Sequence, residues 1–134
     1  MVNEMPPPES FGIVAVRPDE TSAAVSPAGD LDVSTSPRLM ALIEELLEEG
    51  RTAITIDLRA VTFIDSSGLG ALVSLLNRAR TGDGQLGLIC PHRRLRRVFE
   101  ITGLRRAFVF GDDLDDVLAA LAEGSEGAPA RNSD

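Results

Sequence analysis

The sequence predicts an α/β domain built on a small mixed β-sheet of about five strands with about four packed helices. Three features point to it. Two strand-like runs near the start are joined by a short turn, which makes an antiparallel hairpin. After the hairpin, strand-like and helix-like segments alternate, so the later strands are expected to be parallel, with right-handed crossovers through helices. At 134 residues and 43% hydrophobic composition, the chain has the size of one domain and enough apolar material for a proper core.

In chain order, residues 1–10 contain Pro6-Pro7-Pro8 and little apolar content, and read as a flexible tail. Phe11 to Val16 reads as a strand, Arg17-Pro18-Asp19-Glu20-Thr21 as a turn cluster, and Ser22 to Ala28 as the second strand. Pro27 predicts that this strand ends, bulges or lies at an edge nearby. Gly29-Asp30-Leu31-Asp32 is expected to turn the chain out of the hairpin. Ser36 is expected to cap the first helix, with Pro37 at its first position, where a missing N–H costs nothing. Leu39, Leu42, Ile43, Leu46 and Leu47 give that helix an apolar face, Glu44, Glu45, Glu48 and Glu49 a charged one, and Gly50 a left-handed stop.

Ile54, Ile56 and Leu58 alternate along a strand at residues 52–58. A second helix, Leu69 to Arg80, carries Leu69, Leu72, Val73 and Leu76 on one stripe. Gly82-Asp83-Gly84 is a turn, and Gln85 to Cys90 a short apolar strand with its lone cysteine at a buried end. Pro91 and His92 open a third helix with Leu95, Val98, Phe99 and Thr102 inward. Gly103 stops it, with Leu104 folding back over the last turn. Ala107 to Phe110 is a last strand. Asp112, Asp113, Asp115 and Asp116 crowd the start of a fourth helix, where acidic charge suits the helix dipole; its apolar face is Leu114, Val117, Leu118 and Leu121. Residues 123–134 read as a disordered tail, which leaves 11–122 as the folded domain.

Composition narrows function. A net charge of −8 opposes direct binding to nucleic acid and to anionic membrane surfaces. Aromatic content of 4%, with no Trp or Tyr, leaves little to stack on bases. One cysteine allows no internal disulfide, no residue cluster has metal-ligand spacing, and no cofactor is expected. No apolar run is long enough to span a bilayer, no signal peptide is visible, and a cytoplasmic setting is expected. His92 is the only histidine, and Asp65-Ser66-Ser67-Gly68 is not the nucleophile elbow of a Ser–His hydrolase. Gly68-Leu69-Gly70 is too short for a phosphate loop and lacks its lysine. No catalytic residue, and no enzyme, is expected. Arg93, Arg94, Arg96 and Arg97, with Arg105 and Arg106, are the only strongly basic cluster, readable as a solvated helix face or as a docking surface for an acidic partner.

The most informative run is Val61-Thr62-Phe63-Ile64-Asp65-Ser66-Ser67-Gly68-Leu69-Gly70, between a strand and a helix. Asp65, Ser66 and Ser67 are the residue types that cap helices, and Gly68 and Gly70 would let a partner approach the backbone. Asp65-Ser66-Ser67-Gly68-Leu69-Gly70 closely resembles the phosphorylation-site motif of STAS-domain anti-sigma factor antagonists. Gly29-Asp30-Leu31-Asp32 is similar to the family's Gly-Glu/Asp-Leu-Asp turn, and the element order fits from about Phe11 to Ala122.

The resemblance implies a bacterial partner-switching regulator of transcription. Unphosphorylated, it would bind an anti-sigma factor with serine kinase activity and release the sigma factor; phosphorylation at Ser66 would abolish binding, and a phosphatase acting on phospho-Ser66 would restore it. Asp32, Asp65, Ser67, Gly68, Leu69 and Gly70 are then the expected partner-binding positions. Asp32 has a second reading as a turn stabiliser, and Asp65 one as a helix cap. The other functional class is a STAS scaffold or a ligand-sensing module that binds nucleotide or another regulator.

Overall fold

A computed structural model describes residues 11–132 of the chain; the expected Pro-rich tail, residues 1–10, lies outside them. The described residues form six strands and four helices: β1 (Gly12–Val16), β2 (Ser22–Leu31), α1 (Ser36–Glu48), β3 (Ala53–Asp57), β4 (Val61–Ile64), α2 (Ser66–Thr81), β5 (Gln85–Ile89), α3 (Arg93–Ile101), β6 (Val109–Gly111) and α4 (Leu114–Asn132). The sheet runs β1-β2-β3-β5-β6, with β4 paired to β2. Only β1–β2 is antiparallel, as the hairpin requires; β2–β3, β3–β5, β5–β6 and β2–β4 are all parallel.

The strand without a sequence signal of its own is β4. It exists because β2 is longer than expected. Residues 22–25 of β2 pair with β3, and residues 29–31 pair with β4. Gly29-Asp30-Leu31 therefore extends the strand instead of leaving it, with a register shift between Gly29 and Asp30 and with Gly29 at φ +112°, a conformation glycine adopts freely. Pro27 falls between the two parallel ladders, where its missing N–H breaks neither.

The main core lies between the sheet and the first three helices. Leu31, Ile54, Ile56, Leu58 and Leu88 from the strand segments meet Leu39, Ile43 and Leu46 of α1, Leu72, Leu75 and Leu76 of α2, and Phe99 of α3. The stripe on α2 is rotated from the expected one: Leu75 and Ala79 are fully buried, while Val73 is half-buried at the rim. On α3, Leu95 and Phe99 carry the burial and Thr102 is exposed. Helix α4 covers the opposite face of β3, β5 and β6, burying Val117 and Leu121 beside Ile89. Gly87 permits this approach, since a β-carbon there would collide with Val117. Helix α4 runs to Asn132, so the tail expected from Glu123 begins inside it. Cys90 directly follows β5 and is fully buried, and burial pushes its thiol up to about 11.

Gly50, at φ +96°, ends α1 as expected. Gly103, at φ +79°, ends α3, and the Leu104 N–H returns to the Phe99 carbonyl at 2.8 Å.

Candidate functional site

The parallel pairing of β2 with β4 builds the site. Leu31 and Ile64 are register partners at the ends of their strands, so the chain leaves both at the same place. The loop after β2 (Asp32-Val33-Ser34-Thr35) and the turn after β4 (Asp65-Ser66-Ser67) start side by side. They lie at the carboxyl ends of parallel strands, the usual place for ligand and partner sites in such sheets.

Asp65 is the N-cap of α2. Its backbone is extended (φ −102°, ψ −172°), and its Oδ1 accepts the Gly68 N–H at 3.0 Å. Ser66 is then the first helical residue. It is exposed, and its hydroxyl makes no hydrogen bond to the described residues. The N–H groups of Ser66 and Ser67 precede the first intrahelical bond, which runs from the Leu69 N–H to the Asp65 carbonyl at 2.9 Å. The serine thus stands, exposed, at the positive end of a helix of 16 residues. Ser67 and Leu69 are half-buried.

The two glycines differ. Gly70 is exposed, with no atom near the position of an added β-carbon. Gly68 is buried: a β-carbon there would collide with the Leu31 carbonyl oxygen and lie 3.0 Å from Ile64 Cγ2. Gly68 therefore seats α2 on the end of β2, and the open backbone surface expected at both glycines is found only at Gly70.

Asp32 is a turn builder. Its Oδ1 accepts the Ser34 N–H at 3.0 Å, the Ser34 hydroxyl at 2.9 Å and the Thr35 N–H at 3.1 Å. The Ser34 hydroxyl bond is the main cause that holds its carboxyl below the ordinary carboxylate range. Thr35, not Ser36, is the N-cap residue of α1, and its hydroxyl donates to the Asp30 carbonyl at 2.7 Å. Ser36 turns inward, 5% exposed, with its hydroxyl unpartnered. The Asp32 loop closes before Ser36, which moves the helix start back by one residue. Asp30 accepts from the Thr62 hydroxyl at 2.8 Å across the β2–β4 ladder.

Two side chains at this end were given no role by sequence reasoning: Val33 is 71% exposed and Phe63 is 52% exposed. Val33 does stand out in the sequence, as an apolar residue inside a polar turn. Phe63 does not, because its outward direction depends on β4 pairing with β2.

His92 is the N-cap residue of α3 without a side-chain cap bond, and its Nε2 lies 2.7 Å from the Arg59 carbonyl oxygen. Arg96 is held inward, donating to the Cys90 carbonyl at 2.7 Å and lying over the Phe110 ring. Arg93, Arg94 and Arg97 are exposed. Among the described residues, no group of three or more His, Cys, Asp or Glu side chains is placed to hold a metal, and no helix is long and apolar enough to cross a membrane.

The chain is thus a small α/β domain with a mixed sheet, helices on both faces and an exposed serine in the first turn of the helix that follows an Asp cap. The chain belongs to the STAS domain family, whose model matches residues 13–117. It is 36% identical over 81 residues to an anti-sigma-B factor antagonist of Staphylococcus aureus, covering 60% of this chain and 75% of that protein. The crystal structure of an anti-sigma factor antagonist from Mycobacterium paratuberculosis superposes with a TM-score of 0.75 at 30% identity, covering 86% of this chain and 97% of that one. The fold is shared with the unphosphorylated form of the anti-sigma factor antagonist SpoIIAA, at a TM-score of 0.66 and 19% identity over 84% of this chain and 99% of that one.

Proposed function

We propose that the protein is an anti-sigma factor antagonist switched at Ser66. In the unphosphorylated form it binds an anti-sigma factor that is also a serine kinase, and the sigma factor is released. The kinase transfers phosphate from ATP to the Ser66 hydroxyl, the complex separates, and a phosphatase acting on phospho-Ser66 resets the protein. It is the substrate of this chemistry and not its catalyst, and it works in the cytoplasm. The observation that carries the reading is the exposed Ser66 hydroxyl beside the Asp65 cap, without a hydrogen bond among the described residues.

Physical magnitudes favour a switch in binding over a switch in fold. Phosphate on Ser66 adds about −1.5 to −2 charge at neutral pH. At the free N–H groups of α2 that charge is favourable by roughly 0.3–1 kcal/mol. In a packed interface it must shed water beside Asp65, and burying such a charge without a partner costs several kcal/mol. The interface effect is the larger, so binding is lost while the domain stays folded.

The test uses the purified anti-sigma kinase, ATP and three proteins. Wild type is expected to gain one phosphate, located at Ser66 by mass spectrometry, and then to lose binding. Ser66→Ala should bind and stay bound; Ser66→Asp should bind weakly. Ser66→Asp binding as tightly as wild type at physiological salt would refute the mechanism.

A further inference from the structure

We propose that Val33 and Phe63 are the apolar anchors by which this protein holds its anti-sigma factor, and that the docking face of the partner is an apolar hollow with a cationic rim. This rests on the function proposed above and names the contacts that make it selective.

The described residues leave five large apolar side chains exposed: Val14, Val16, Val33, Phe63 and Ile101. Two of them stand at the serine. Phe63 is three residues before Ser66, a reach of at most about 10 Å even in extended chain. Val33 is two residues beyond Leu31, whose carbonyl lies against the first turn of α2 at Gly68. Phe63 is the register partner of Asp30 and its neighbour Ile64 is buried, so the β2–β4 pairing turns Phe63 outward, while Val33 stands exposed in the loop just beyond the paired residues. Buried aromatic and aliphatic anchors dominate protein interfaces, and polar residues around them exclude water.

The surrounding charge describes the partner. Asp30, Asp32 and Asp65 bond only to neutral donors: the Thr62 hydroxyl, the Ser34 and Thr35 groups, and the Gly68 N–H. None of the three forms an ion pair among the described residues. The partner that complements them carries Arg or Lys at the rim of its hollow. Those cations answer carboxylates already present. A phosphoserine adds up to about two further charges beside Asp65, in excess of what those cations match, and their desolvation is unfavourable.

The experiment is isothermal titration of the purified kinase with wild type, Phe63→Ser, Val33→Ser and Val16→Ser, each checked for folding by circular dichroism. Val16 is the control: it is 50% exposed but pairs with Ala24, six residues along β2 from the partner of Phe63, or about 20 Å away. Phe63→Ser and Val33→Ser are expected to weaken binding at least about tenfold each, Val16→Ser to leave it unchanged, and added NaCl to weaken the wild type. Binding that survives both apolar substitutions, or that is insensitive to salt, overturns the proposal. So does a wild-type dimer in sedimentation that Phe63→Ser dissociates, which would give the face to a second copy. A wild type that neither binds nor is phosphorylated instead defeats the proposed function, and the anchors with it.

Discussion

Gly68 and Gly70 stand two residues apart on one helix and face opposite environments. Gly68 is wedged against the Leu31 carbonyl, whereas Gly70 borders open space. Gly68→Ala is expected to destabilise the domain by roughly 1–3 kcal/mol, because a backbone carbonyl cannot yield as a side chain can. Gly70→Ala should stabilise it by about 0.5–1 kcal/mol, since alanine is the better helix former. Urea denaturation of the two variants checks both signs. The sequence marked both glycines as bare backbone for a partner. What separates them is which side of α2 meets β2, and that is set by contacts between residues far apart in the chain. The place of Ser66 at the start of α2 was legible by contrast, because a serine after a capping Asp, between strand and helix, needs only local information.

At the scale of the element, α2 depends on its start. Asp65 satisfies one of the first N–H groups of the helix, that of Gly68. Asp65→Ala is expected to cost about 0.5–2 kcal/mol and to speed hydrogen exchange of the Gly68 amide; Asp65→Asn, which caps equally well, should restore most of both. Exchange at Gly68 unchanged in Asp65→Ala would show that the cap bond does not hold in solution. Helix ends were readable wherever a single residue decides them, as at Gly50 and Gly103. They were misread where a loop decides them. Ser36 has the chemistry of a cap, but Asp32 gathers the turn ahead of it and leaves Ser36 buried. Strand β4 was missed for a related reason: four residues of mixed exposure show no period, and become a strand only by pairing with the far half of β2.

Across the whole molecule, one exposed cluster ties the hairpin to the helical layer. Glu49, at the end of α1, takes two hydrogen bonds from Arg17, at 3.0 and 2.8 Å, and one from Arg51 at 2.9 Å. The Arg17 hydrogen bond, followed by that of Arg51, pushes its carboxyl down to about 2 from the ordinary 4.5. The sign follows by linkage: the unfolded chain takes up the proton first, so the contribution is present above about 4.5 and is lost as pH falls toward about 2. Melting temperatures of wild type and Glu49→Gln should differ at neutral pH and converge in acid. A gap that stays constant down to about pH 2 would show that the carboxylate charge does not stabilise the fold. Asp19 and Asp32 are shifted in the same direction by local hydrogen bonds and add to the same acid loss.

By itself the sequence determined the α/β class, the hairpin, the four helices and the place of Ser66 between a strand and a helix. Each of these follows from residues close in the chain: hydrophobic period, caps, glycine stops and one compact motif. The tertiary structure decided which half of β2 meets β3 and which meets β4, and therefore that Asp32 and Asp65 start neighbouring loops. It also decided that Gly68 faces inward and that Val33 and Phe63 face outward. Strand pairing brings together residues some thirty positions apart in the chain, and no local pattern records which partner a strand will find.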